Sequence, residues 1–115
     1  MALVEEQLAT ELSHFVPKNR QQVGYDREAR RRTDGALVKI EIKGRKKDSP
    51  VELVGNEPQA AKAAFNNGEP FWVCIVPGIP EAPQLWIVEN ALTAGDFDTL
   101  KIDVNQWRIH GRRVL

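Results

Sequence analysis

The chain has 115 residues, 42% of them apolar, and its 16 lysines and arginines are balanced by 16 acidic residues. That length supports one domain around one hydrophobic core, and zero formal net charge excludes a protein that coats nucleic acid over its whole surface. No apolar run approaches the ~18 residues of a membrane-crossing helix, so a soluble domain with no membrane partner is expected.

Val4, Leu8, Leu12, Phe15 and Val16 recur at helical spacing, which predicts one amphipathic helix over residues 2–16, stopped by Pro17. Glu5 and Glu6 interrupt the N-terminal stretch, so it does not read as a secretory signal. The single Cys74 sits in an apolar run and reads as a packed thiol, in keeping with a reducing cytoplasm. Residues 18–22 read as a polar connection. Runs from Tyr25 to Arg32 and from Ala36 to Lys43 flank Thr33-Asp34-Gly35, and Asp-Gly between extended runs predicts a hairpin. In the second run Val38, Ile40 and Ile42 alternate with Lys39, Glu41 and Lys43, as in a strand with one buried and one wet face.

Residues 44–50 form a basic loop and Val51 to Val54 a short third strand. Asn56 is placed to cap a helix with Pro58 in its first turn, Gln59 at the capping-box position, an alanine-rich inner face anchored by Phe65, and Gly68 to end it. Asn56 and Glu57 are best explained by capping and the helix dipole, with a site role left open. The unbroken apolar run 71–76 predicts a central strand covered on both faces, followed by a strand over 84–88. Beyond Asn90 a short helix or turn through Asp96 and a hairpin between residues 100–104 and 107–109 complete the chain. The order of helix, three-strand meander, helix, central strand and additional C-terminal strands defines an α+β core. Trp72 and Trp86 read as packing and Trp107 as core or interface; His14 and His110 read as surface residues.

The charges are unevenly placed. Basic residues crowd segment 27–47, and Arg30, Arg32, Lys39, Arg45, Lys46 and Lys47 are candidates for contacts to a phosphate backbone. A two-residue Asp34-Gly35 turn would set Thr33 opposite Ala36, Glu28 opposite Glu41 and Asp26 opposite Lys43, all on one face, with Asp26 and Glu41 within ~8 Å of each other. Phosphodiester hydrolysis needs a hard cation to bind the phosphate and activate water. Magnesium or manganese suits carboxylate oxygens and takes only one or two of them. Asp26 and Glu41 are therefore candidate ligands, the Ile42 carbonyl a further one, and Lys43 a point charge to orient the water. Glu-X-Lys on an alternating strand is common as a solvated charge pair and by itself is weak evidence for a site.

The ordered set Gly24-Tyr25-Asp26, the Asp34-Gly35 turn, Ile40-Glu41-Ile42-Lys43-Gly44-Arg45, Asn56-Glu57 before an alanine-rich helix, and the aromatic-led strand from Phe71 resembles the domain family named for the C-terminus of the plant NO VEIN protein. The resemblance is clearest over residues 24–90. That family is similar to PD-(D/E)xK nucleases, so the resemblance implies a restriction-endonuclease-like core, Asp26 and Glu41 as metal ligands and Lys43 as the catalytic lysine. Glu11 matches the helical acid of those nucleases or is simply a solvated edge residue. Two positions depart from the family pattern: Pro58 stands where an aromatic usually follows Asn-Glu, and Arg27 where an apolar residue usually follows the strand aspartate. The expected function is a magnesium-dependent, endonuclease-like hydrolase acting on DNA in a restriction, defence or helicase-associated setting. A catalytically inactive DNA-binding or protein-interaction module of the same fold and a structural interaction domain remain the alternatives. An ATPase or helicase partner, a fused domain or a homodimer is expected to accompany so small a domain.

Overall fold

The computed structural model describes residues 2–90, 92 and 100–115. Strand β5 (Phe71–Val76) is buried at every position, as its unbroken apolar run predicts. It pairs in parallel with β3 (Leu37–Gly44) and antiparallel with β6 (Trp86–Val88). With β1 (Leu12–Pro17), β2 (Arg27–Arg31) and β8 (Arg112–Arg113), these make a six-stranded sheet of order β1-β2-β3-β5-β6-β8. Because side chains alternate across a strand, Trp72, Cys74 and Val76 enter one core together with Val4 and Leu8 of α1 (Ala2–Leu8). Phe71, Val73 and Ile75 enter the other. That second core is roofed by Ala61 and Ala64 of α3 (Glu57–Asn66), by Trp107 of α4 (Val104–His110) and by a small ribbon of β4 (Val51–Glu52) with β7 (Lys101–Ile102). The mixed sheet thus lies between two apolar layers, an α+β arrangement. No described helix is long and apolar enough to cross a membrane.

Several elements differ from the sequence reading. The helix expected over residues 2–16 ends at Leu8, and residues 12–17 form β1 instead. The pairing of β1 with β2 is irregular between Ser13 and Val16, and His14 adopts φ +56°. This extra residue lets Leu12 and Phe15, three apart, reach the same core, so a bulged strand imitates helical spacing. The meander is therefore β1-β2-β3. Val51 and Glu52 are not its third strand but pair with β7. Phe65 is 51% exposed rather than an anchor; small alanines bring α3 onto the sheet. Residues 104–110 are helical, not the second arm of a hairpin, and Trp107 is fully buried core. The turn expected through Asp96 lies outside the described residues.

Residues 18–22, read as a connection, contain a one-turn helix α2 (Arg20–Val23). The Asn19 side chain accepts from the Gln21 amide at 3.1 Å, and Gly24 closes the turn at φ +82°. A Cβ at Gly24 would lie 2.6 Å from the Asn56 carbonyl oxygen and 2.8 Å from Ala60 Cβ. The Asn56 Nδ2 donates to the Gln21 carbonyl at 2.8 Å, so α2 is fastened to the start of α3. Gly24→Ala, which combines a left-handed backbone with this clash, is expected to cost about 2 kcal/mol or more, read as a lower urea midpoint at unchanged slope.

Candidate active site

The β2–β3 hairpin positions the site. Arg27 pairs with Ile40, Glu28 with Lys39, Ala29 with Val38 and Arg30 with Leu37. This is two residues away from the expected register: Glu28 does not oppose Glu41, nor Asp26 Lys43. The loop is longer than an Asp-Gly turn. The Arg31 amide donates to the Ala36 carbonyl at 2.9 Å and the Gly35 amide to the Arg31 carbonyl at 2.7 Å. Asp34 accepts from the Arg31 guanidinium and the Ala36 amide, and these bonds, Arg31 first, hold its carboxyl down to about 2. A slip of two residues preserves side-chain parity where a slip of one would destroy it. At the end of β2 the Asp26 amide donates to the Ile40 carbonyl at 2.9 Å although Arg27 is Ile40's partner. Two successive residues thus address one, the mark of a bulge, which re-aims a side chain. The Asp26 Oδ2 then accepts from the Ile42 amide at 2.8 Å.

The face carrying Glu41 and Lys43, expected to be wet, is buried because α3 covers it: Glu41 is 0% and Lys43 8% exposed. Neither Glu41 oxygen meets a hydrogen-bond donor in bonding geometry. Lys43 Nζ is 3.2 Å from Glu41 Oε2 but 2.8 Å from Glu57 Oε1, and Glu57 also accepts the Val54 amide at 2.8 Å. The lysine charge is taken up chiefly by Glu57. Glu41 is left with burial as the largest influence, then the carboxylates of Asp26 and Glu57, and its own carboxyl is pushed up to about 9. Burial alone would raise Glu57 too, but the bonds from Lys43 and Val54 win and lower it.

Of this cluster, Asn56-Glu57 stands in the sequence as a motif explained by capping and the helix dipole with a site role left open, and Arg20 carries no signal of its own. Asn56 makes no side-chain cap bond because its amide holds α2, and Glu57 turns inward to Lys43. Their adjacency at the head of α3 was the available signal. Arg20 was hidden in the apparent connection, where only its flanking Asn19 and Gly24 announce a helix. Its guanidinium lies 3.9 Å from each of Asp26, Glu41 and Glu57. Among the described residues no group of three or more His, Cys, Asp or Glu is arranged to hold an ion. Glu11 lies away from the site, on the α1 side, gripped by Arg112, whose guanidinium stacks 5.3 Å over Trp72.

The candidate phosphate-contacting residues do not form one patch, because β2 alternates. Arg27 and Arg31 leave on the α1 side and pair with Glu5 and Asp34. Arg30 is exposed and donates to the Gly35 carbonyl, Arg32 to the Ala9 carbonyl. Lys39 pairs with Glu69 at 3.0 Å and stands over Tyr25. Arg45 donates to its neighbour's carbonyl, at Gly44. Lys46 and Lys47 are exposed, on the loop leaving β3 at the same end as Lys43.

Residues 1–88 match the family described as Protein NO VEIN, C-terminal. No curated protein matches the sequence. Among solved structures the chain is similar to Hjc of Archaeoglobus fulgidus, a Holliday junction resolvase from an archaeal hyperthermophile. The TM-score is 0.64 over 94% of this chain and 86% of that one, at 16% sequence identity. The chain therefore has the restriction-endonuclease-like α+β fold that the family resemblance implied.

Proposed function

We propose that this chain, which belongs to the NO VEIN C-terminal family, is a metal-dependent nuclease domain that hydrolyses DNA phosphodiester bonds. The observation that carries the reading is Glu41: a fully buried carboxyl with neither oxygen in a hydrogen bond, beside Asp26 and in ion-pair contact only with Lys43 at 3.2 Å and Arg20 at 3.9 Å. Leaving such a group without a hydrogen bond is costly, and a hard cation shared with Asp26 would satisfy it; the donor set fits magnesium or manganese, which need only one or two carboxylates. Bound there, the ion would supply Lewis acidity toward a phosphate oxygen and lower the pKa of the attacking water. Asp26 and Glu41 are its proposed ligands, with the Ile42 carbonyl as the third oxygen. Asp26, tied to the Ile42 amide, fixes the ends of both strands relative to one another. Lys43 orients the water from its seat on Glu57, and α3 excludes bulk solvent behind them.

Lys46 and Lys47, which have no ion-pair partner among the described residues, lead the proposed backbone contacts, with Arg45 preceding them on the same loop; Arg30, at the hairpin-turn end of β3 opposite Leu37, would reach a separate stretch of backbone, and Arg32 and Lys39 would join by leaving their present partners. Replacing both Lys46 and Lys47 by alanine is expected to weaken duplex binding regardless of sequence and to flatten the log–log salt slope by ~2, as measured by filter binding. The cytoplasm is the proposed compartment. A second copy or an ATPase or helicase partner would provide the second cut or the target choice.

Plasmid incubated with the protein and magnesium or manganese tests the proposal. Nicking by the wild type and none by Lys43→Ala or Asp26→Asn is expected; no nicking at all, or equal nicking by Lys43→Ala, overturns it. The second reading, an inactive DNA-binding module, is favoured by the hold of Glu57 on Lys43 at 2.8 Å. It would appear as salt-sensitive duplex binding without cleavage.

A further inference from the structure

We infer that Arg20 is the resident counter-ion of the carboxylate cluster and competes with the divalent cation for it. The inference rests on the reading of Asp26 and Glu41 as that cation's ligands. Arg20 Nε is 3.9 Å from Asp26 Oδ1 and from Glu57 Oε2, while its Nη1 is 3.9 Å from Glu41 Oε2. One positive group therefore reaches the same two carboxylates that an ion bridging Asp26 and Glu41 would need, and two cations cannot share them without repulsion. The contacts are long: despite the proximity of Arg20, neither Glu41 oxygen accepts a hydrogen bond. Arg20 thus neutralises the cluster electrostatically and does not close it. Its side chain is 55% exposed, so displacement toward water is open to it.

The backbone of Arg20, by contrast, is pinned. Asn19 caps α2 in front of it, Gly24 seals α2 against Asn56 and Ala60, and the Asn56 side chain holds the Gln21 carbonyl. Competition is therefore a side-chain event: the guanidinium is kept within reach of the acids whether or not it touches them. Exchanging it for a neutral group removes a rival and leaves every proposed ligand in place.

Manganese titrated into the full chain at neutral pH, with free ion read by electron paramagnetic resonance, tests this without reference to cleavage. Arg20→Gln and Arg20→Ser are expected to bind about three- to tenfold more tightly than the wild type, the size that long ion-pair contacts from a half-exposed guanidinium can supply. Arg20→Lys, which keeps the charge, is expected to bind as the wild type does, and Glu41→Gln to lose binding. Circular dichroism of each variant verifies the fold. Affinity in both neutral variants equal to or below that of the wild type, with binding still lost in Glu41→Gln, overturns the competition and leaves the metal site standing. Absence of binding by the wild type and the neutral Arg20 variants alike overturns both readings.

Discussion

Glu41→Gln is expected to abolish magnesium-supported nicking and at the same time to stabilise the metal-free protein above neutral pH. The first effect follows from replacing an anionic oxygen donor by an amide; groups merely outside a metal's ligand shell already cost ~10–100-fold, so a loss beyond ~100-fold is expected. The second follows from linkage. Unfolded, Glu41 titrates near the ordinary 4.5; folded, burial and the neighbouring carboxylates raise it to about 9. The native state therefore retains a proton that the unfolded state has released. Its contribution to stability is complete below pH 4.5 and is lost progressively as pH rises toward about 9. Glutamine carries no charge at any pH and removes that slope. Thermal melts from pH 5 to 9 in chelator should diverge, the variant gaining on the wild type by on the order of a few kcal/mol at the alkaline end. Parallel curves would show that Glu41 is not protonated in the native protein.

Glu57→Ala is expected to be the most destabilising single change at the site, by about 3–5 kcal/mol, the usual cost of removing one member of a buried ion pair. It takes from the Lys43 ammonium, whose side chain is 9% exposed, its closest partner, leaving only the poorly aligned Glu41 at 3.2 Å, and leaves the Val54 amide without the acceptor it now has at 2.8 Å. Glu57 is held below its ordinary value, so its share of stability is present above pH 4.5 and is lost as acid carries the solution down through the folded pKa. The combined change Glu57→Leu with Lys43→Met should recover most of the loss, because two apolar groups of similar volume replace the pair. Urea unfolding of the two singles and the double gives the coupling directly. A cost near 1 kcal/mol for Glu57→Ala would mean that water reaches Lys43.

What the sequence disclosed was set by periodicity. Strand β5 and the alternation of β3 were legible because burial writes itself into apolar spacing, and the three residues Asp26, Glu41 and Lys43 could be placed on one face for the same reason. The predicted register was off by two, yet the cluster survived, since a strand repeats every two residues. Two things escaped. Leu12 and Phe15 carried helical spacing because a bulge inserts one residue into β1, a local event that no pattern distinguishes from a helix. Arg20 and the inward pairing of Glu57 with Lys43 escaped because they come from how α2 and α3 meet. Gly24, at a φ of +82° against the backbone of Asn56, was visible only as part of a motif, and its reason is tertiary.

The irregular strand β1 has a bearing on assembly. It is one of the two edge strands of the large sheet, and an unpaired edge normally invites a neighbouring molecule to add itself by main-chain pairing. His14, with its left-handed φ of +56°, breaks the straight row of donors and acceptors, and Pro17 removes one donor altogether. The sheet is thereby closed to extension on that flank. Two copies meeting on a duplex would then have to join by some surface other than the β1 edge.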